Sequence, residues 1–302
     1  MNAIPGLPVQ LHSLLGTHPS TRALKSGAVS SRLISFDFFE VKVANTQFKA
    51  LVREAKYDFG ELAMVTFLQA KHYAKPYILL PATIVGRNQH HTIFYNAERG
   101  ALKPSALSGK RVGVRAYTQT TGCWVRGFLA EEYGVDNDSI SWVAFEDAHL
   151  AEYGDPSNVV RAPIGTTLRQ MLLDGEIDAA ILGDVAEEGS IRRLIPECDK
   201  AGELWAERHG GVPVNHLAVM RKSIARERPD VVREVYRLLK ESRAAADLPA
   251  GDQDPLRFGI NRVRQSIDTL SEYAVRQRLI PRRLAIDELF DEARVVLGSE
   301  AD

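Results

Sequence analysis

Short apolar runs bounded by turn residues alternate with helical patterns along nearly all of the 302 residues. That alternation is the strongest constraint on the fold, because strands joined by helices pack as a mainly parallel sheet with helices on its faces. A strand is expected around Val9 to Leu15, then an irregular polar segment and a second apolar stretch from Leu33 to Val43. Asn45 is placed to cap a helix whose buried face is Phe48, Leu51, Val52 and Ala55, at the i, i+3, i+4, i+7 spacing. Tyr57-Asp58-Phe59-Gly60-Glu61 then turns into another helix through Phe67. Tyr77 to Val85 and His90 to Tyr95 pattern as strands, and Pro104 to Gly109 as a connector.

A fresh α/β unit begins at Lys110 and ends near Gly210. Within it Leu168, Met171 and Leu172 mark a helical face, Gly175 supplies a stop, and Ile177 to Leu182 reads as a buried strand. After Gly210-Gly211 a strand is expected from Val212 to Met220. A long helix then starts at Pro229 and Asp230, with Val232, Val235, Tyr236 and Leu239 inward. Two further amphipathic helices run through Val263, Ile267 and Leu270 and through Ile286, Leu289, Phe290 and Ala293. Ala244 to Asp254 is the one linker-like stretch, and no internal repeat is visible. The arrangement that uses these elements is α/β and two-lobed. Residues 1–109 and 212–302 form a discontinuous first lobe and residues 110–211 an inserted second one. A central ligand cleft is expected where strand ends meet helix starts.

Charge and composition narrow the partner. A net charge of −1, with no basic run, leaves nothing to neutralise a phosphate backbone, so nucleic acid is excluded. No stretch is long and apolar enough for a bilayer span, and the first twenty residues lack a cationic start followed by an apolar run. A cytoplasmic protein with a small-molecule partner and no membrane partner is expected, with a homo-oligomer left open. Two cysteines, Cys123 and Cys198, make neither a disulfide framework nor a metal motif. Cys123 lies early in the expected helix, where a thiol can become reactive, although a packed inert thiol is the simpler reading. No His-x-x-x-His, Cys-x-x-Cys or carboxylate-rich loop suggests a metal. The glycine spacing of Gly109 to Gly113 fits neither a dinucleotide nor a phosphate loop, so no cofactor is implied.

Lys110 to Thr121 reads as an apolar strand, a hydroxyl-rich turn and a helix that begins near Trp124. The first N–H groups of a helix lack partners and the macrodipole is positive there. Tyr117, Thr118, Thr120 and Thr121 add hydroxyl donors, so a carboxylate or phosphate is the expected guest. The plain alternative is that Thr120 or Thr121 only caps a helix over Val125, Phe128 and Leu129.

Several segments carry a resemblance. They are Tyr57-Asp58-Phe59-Gly60-Glu61-Leu62, Leu80-Pro81, Arg87 with His91, Lys110-Arg111-Val112-Gly113-Val114 with Thr120 and Trp124, Leu172 to Ala179, and Val214-Asn215-His216. The ending from Arg257 through Asn261-Arg262 to Gln277-Arg278-Leu279-Ile280 and Glu288-Leu289-Phe290 belongs with them. Together these resemble 4,5-dihydroxyphthalate decarboxylases over nearly the whole chain. The resemblance implies the type II periplasmic-binding-protein fold and a small hydroxylated aromatic carboxylate as substrate. The chain departs from the family pattern at Gly16-Thr17-His18-Pro19-Ser20-Thr21-Arg22 and at Gly183-Asp184-Val185-Ala186-Glu187-Glu188.

Removing CO2 from such an acid without a cofactor requires a proton on the carbon that bears the carboxylate, with the ring hydroxyl stabilising the charge that results. An acid, an anion clamp and a partner for the hydroxyl are therefore needed. Arg87 and Arg115 suit carboxylates through their guanidinium forks. His91 and His216 are candidates to move protons, and Glu61 or Asp58 to orient an imidazole or act as acid or base. Asn215 stands beside His216. Each has a plainer reading: Arg87 as a turn residue, Arg115 paired with an acid, Glu61 at a helix start, His216 in a structural hydrogen bond. His90 and His91, as strand neighbours, would point to opposite faces. His149, Glu146 and Asp147 read as an exposed loop cluster. A non-catalytic solute-binding protein of a transporter is the competing function, and a ligand-sensing regulator a weaker third.

Overall fold

The structure, a computed structural model, describes residues 8–248 and 254–302. The strands are β1 (Val9–Leu14), β2 (Ile34–Phe38), β3 (Phe59–Ala63), β4 (Tyr77–Gly86), β5 (Ile93–Asn96), β6 (Arg111–Val114), β7 (Ser141–Ala144), β8 (Val159–Arg161), β9 (Ala179–Ile181), β10 (Ile191–Arg193) and β11 (Val214–Arg221). The helices are α1 (Arg22–Lys25), α2 (Phe48–Glu54), α3 (Met64–His72), α4 (Thr120–Tyr133), α5 (Leu168–Asp174), α6 (Cys198–Arg208), α7 (Lys222–Glu227), α8 (Pro229–Ala244), α9 (Ile260–Arg276) and α10 (Ile286–Leu297). Among the described residues no helix is long and apolar enough to cross a membrane.

The chain forms two units. The first takes the described residues up to Arg87, with Val214–Asp268 and Leu284–Asp302; the second takes Asn88–Pro213 and Thr269–Arg283. Residues 88–109, expected with the first lobe, fall in the second unit because β5 pairs with β9 and β10 there.

The first unit is built on a sheet of order β2-β1-β3-β11-β4. Strand β1 runs parallel to β2 and β3, whereas β11 enters between β3 and β4 antiparallel to both. All five residues of β3 are buried, so its sequence shows no in-out alternation. On α2, Phe48, Leu51 and Val52 are buried, and on α8 so are Val232, Val235, Tyr236 and Leu239. Each such side chain contributes about 1.5–3 kcal/mol relative to exposure, before the entropy of ordering is set against it.

The second unit has a sheet of order β10-β5-β9-β6-β7-β8, parallel from β9 to β8 and antiparallel at β10 and β5. Phe94, Val143, Met171, Leu172, Ile177, Ala180 and Ile191 form a core cluster. Trp124 and Phe128 of α4 meet Trp205 with ring centroids 5.4 and 5.0 Å apart. Gly127 lets the Tyr273 ring lie against α4, since a Cβ there would stand 2.1 Å from ring carbons.

Several local expectations change. The first sheet is mixed rather than mainly parallel, because β11 runs against both of its neighbours, whereas the second is mainly parallel with β5 antiparallel to β9 and β10. Asn45 lies inside a 3₁₀ turn, Ala44–Gln47, and does not cap α2; Ala55 ends that helix in the left-handed conformation at φ 50°. Segment 59–63 is a strand and the helix begins only at Met64, so Glu61 is not at a helix start. Burial on both faces removed the period that separates a short strand from a helix turn. His90 and His91 sit in a 3₁₀ turn, His90–Thr92, ahead of β5, and are not neighbours on opposite faces of a strand. The linker expected over Ala244 to Asp254 begins with the last residue of α8, and residues 249–253 lie outside the described residues.

Candidate functional site

Parallel strands β1 and β3 end at the same edge of the first sheet, and antiparallel β11 begins there. Three ionisable side chains meet at that edge. Glu61 lies opposite Ala218 in the β3–β11 register, and His216 opposite Ala63, so both side chains emerge on one face of the sheet. The β11–β4 pairing is irregular between Val214 and Val219, the type of local bend that re-aims a side chain. His18 arrives on the loop that leaves β1. Strand carboxyl ends followed by loops are where ligands sit in α/β sheets.

The Glu61 carboxylate is completely buried. It accepts hydrogen bonds from Gly16 N–H at 2.8 Å, from His18 Nε2 at 3.1 Å and from His216 Nδ1 at 3.1 Å. An anion accepts only, so those two ring nitrogens carry hydrogen. Burial pushes the Glu61 carboxyl up, but hydrogen bonds from His18 and His216, with their charges, more than offset it. Glu61 is held well below the usual carboxylate range and stays ionised. The side chains that reach the surface are the imidazoles, His18 at 32% and His216 at 20% exposure. His216 Nε2 has no partner among the described residues, and the ring meets the Phe48 ring edge-on at 5.3 Å.

Close backbone packing fixes this group. Thr21 Oγ1 donates to the Gly16 carbonyl at 2.7 Å and accepts from His18 N–H at 2.9 Å, closing the loop on itself. A Cβ at Gly16 would lie 2.6 Å from His18 Nε2 and 2.7 Å from Glu61 Oε1, so a side chain there would displace one of these two groups. Asp58, the other carboxylate considered from sequence, accepts from His12 N–H at 3.0 Å and pairs with Arg221 at 3.4 Å. It is a structural link and not a partner of either imidazole.

The remaining candidates stand elsewhere. Asn215 is buried next to His216 on β11, and Arg87 is half-buried directly after β4 in the first unit. In the second unit His91 pairs with Asp184 at 3.3 Å, and Arg115 is engaged with Glu146 at 2.7 Å. His90 is fully buried, stacked on Phe128 at 4.0 Å and bonded to Glu132 at 3.0 Å. His149, expected to be exposed, is buried.

Helix α4 begins at Thr120 and not near Trp124, and its N-cap is Gln119, whose side chain makes no capping bond. Neither Thr120 nor Thr121 is the cap. Tyr117, Thr118, Thr120 and Thr121 are all buried, and Thr118 Oγ1 has no partner among the described residues. Arg126, not picked out from the sequence, lies fully buried against this helix start. Its Nη2 donates to the Tyr117 carbonyl at 2.7 Å, its Nε to Gln277 Oε1 at 2.7 Å, and its charge lies 4.0 Å over the Tyr117 ring. Burial pushes the Cys123 thiol up to about 12, so the reactive reading of that cysteine is withdrawn. Among the described residues no three His, Cys, Asp or Glu side chains group as a metal site.

The sequence brought Glu61 and His216 forward, and they meet. It missed His18, whose signal was its place one short loop after a buried strand.

No family model matches this sequence. Solved structures with a similar fold include the alkanesulfonate-binding protein SsuA from Xanthomonas axonopodis pv. citri, with TM-score 0.62 and 16% identity over 93% of this chain and 98% of that one. The aliphatic sulphonate-binding protein SsuA from Escherichia coli has TM-score 0.63 at 13% identity, over 93% and 91%. The desulfurization enzyme DSZB has TM-score 0.51 at 13% identity, over 96% and 98%. These show a type II periplasmic-binding-protein fold, which serves carriers and enzymes alike and so does not decide function. Sequence relatives are nearer. A 4,5-dihydroxyphthalate decarboxylase of Pseudomonas putida is 30% identical over 181 residues, covering 57% of this chain and 70% of the relative. That of Comamonas testosteroni is 31% identical over 252 residues, covering 79% of this chain and 76% of the relative. A likeness of that extent makes this chain a member of the 4,5-dihydroxyphthalate decarboxylase family.

Proposed function

We propose that the protein is a carboxy-lyase that removes CO2 from a hydroxylated aromatic acid such as 4,5-dihydroxyphthalate, giving a protocatechuate-type product. The observation that carries this reading is a buried, ionised Glu61 with an imidazole on each side, in a chain of this family. In 4,5-dihydroxyphthalate each carboxylate has a hydroxyl para to it. Ionising that hydroxyl makes the carbon that bears the carboxylate basic, so an acid can place a proton there. Positioned acid–base catalysis supplies about 10²- to 10⁴-fold, and orientation and fixed charge supply the rest.

His216 has the role of a substrate-facing acid or base. Glu61, too buried to touch a ligand, holds its imidazole in one tautomer and compensates its charge. In the second unit, the start of α4 with Tyr117, Thr118, Thr120 and Thr121 is assigned to a carboxylate, supported by the buried charge of Arg126. His91, Arg87, Arg115 and Asn215 are assigned to substrate contacts, with Arg115 exchanging its Glu146 partner for the acid. A cytoplasmic location belongs to the same reading and accords with two buried, unbridged cysteines.

The test is incubation of the purified protein with 4,5-dihydroxyphthalate and a panel of hydroxylated benzoates and phthalates, with CO2 and product followed by chromatography. Each reaction is run with and without chelator, which also settles whether a metal takes part. CO2 release from an aromatic acid is expected. Tight binding without product would replace this reading with a solute-binding protein.

A further inference from the structure

We infer that His18 is a second catalytic residue, which works with His216 as an acid–base pair across the buried Glu61 carboxylate. The inference rests on the decarboxylase reading and deepens it by giving each proton of the reaction a carrier.

One carboxylate faces two imidazoles, at 3.1 Å from each. With one imidazole protonated the group is neutral. In that neutral state one ring is an acid and the other a base. Two charged groups on the adjoining elements are committed elsewhere. Lys25 Nζ donates to the Leu15 carbonyl at 3.0 Å, and Asp58 pairs with Arg221. From α2 the neighbour is the apolar ring of Phe48.

Decarboxylation needs that division of labour. The neutral imidazole takes the proton of the hydroxyl para to the departing carboxylate, while the imidazolium puts its proton on the ring carbon that bears the carboxylate. The bond to the carboxylate carbon then breaks, its electron pair returns to the ring, and CO2 leaves. The ring oxygen recovers its proton from the first imidazole. One proton is consumed per CO2, and water restores it to the second imidazole. Both rings are partly exposed while Glu61 is not, so both can meet substrate and the carboxylate cannot.

The experiment uses His18→Gln, whose amide can keep a donor where Nε2 stood, and His216→Asn, whose amide replaces Nδ1. The kcat profile of the parent protein is expected to be bell-shaped in pH. Each variant should lose about 10²- to 10⁴-fold in kcat with KM within a few-fold, and each should lose a different limb of the bell. A His18→Gln profile that keeps both limbs at reduced height would overturn the inference. Nitrogen-15 NMR of the unliganded protein gives a second readout, with hydrogen expected on His18 Nε2 and His216 Nδ1. The opposite tautomer at His18 would overturn the pairing whatever the turnover. The expected tautomers with no CO2 from any acid would sink the decarboxylase reading and the catalytic role of His18 with it, leaving only the hydrogen-bonded pairing.

Discussion

Replacing Gly16 by alanine places one methyl group where the structure has no room. The new carbon falls 2.6 Å from His18 Nε2 and 2.7 Å from Glu61 Oε1, where ordinary contacts begin at 3.4 Å, a shortfall of about 0.8 and 0.7 Å. Glu61 is enclosed and held by three donors, whereas His18 rides on a loop and is a third exposed, so the imidazole is the group that moves. The stability lost is a hydrogen bond to a charged group, about 1.5–3 kcal/mol when buried and nearer 1 kcal/mol after screening at a partly exposed histidine. For a chain of 302 residues that is a fall of about 1.5–2 °C in Tm. Catalysis should suffer more, because a misplacement of about 1 Å costs on the order of 10²-fold. Thermal melting and CO2 release under saturating substrate, measured on the same preparation, separate the two effects. Gly16→Ala with kcat within threefold of the parent and an unchanged Tm would refute the claim that this close approach sets the site.

The carboxylate itself is tested by Glu61→Gln. An amide can accept at one end only and its NH₂ forces one imidazole to turn its lone pair inward, so kcat should drop by about 10²- to 10⁴-fold at unchanged fold. Because the folded carboxyl lies below its ordinary 4.5, Glu61 stabilises the protein above that pH, and the contribution fades as pH falls from there through the folded value. Urea midpoints should therefore decline in acid, and less steeply in Glu61→Gln; equal slopes would contradict the buried ion. Cys123, with no exposure and a thiol pushed up to about 12, should resist a disulfide reagent at pH 8 until denaturant is added, and rapid labelling of the native protein would count against the packing around α4. Arg87→Ala should weaken binding of the acid in calorimetry, and unaltered affinity would place that arginine outside the site.

Patterns with a strong period were the legible ones. Helices α8, α9 and α10 carry inner faces at i, i+3, i+4 spacing, and their positions could be read directly. Strand β3 could not, because burial on both sides makes its five residues uniformly enclosed and leaves no alternation to see. Glu61 and His216 were named from the sequence, yet their meeting depends on the register of β3 against β11, which is set by residues far apart in the chain. His18 escaped notice for a related reason. A histidine in a Pro- and Thr-containing loop looks like surface until the turn made by Gly16 and Thr21 is seen to aim it at a buried anion. On α4 the hydroxyl-rich start was visible in sequence, whereas Arg126 beneath it was hidden, since nothing local separates a buried arginine from a solvated one.

The insertion of β11 between β3 and β4 also bears on how the protein is made. His216 and Glu61 are 155 positions apart, so ribosomes adding about 5–20 residues per second leave an interval of roughly 10–30 s between them. During that interval β3 has no β11 beside it, and its apolar edge is open to pairing with other chains. Glu61 meanwhile lacks one of its two imidazoles. Assembly of the sheet and completion of the His18–Glu61–His216 group are thus a single late event in synthesis, and a nascent chain stalled before Val214 would present an aggregation-prone edge in place of that group.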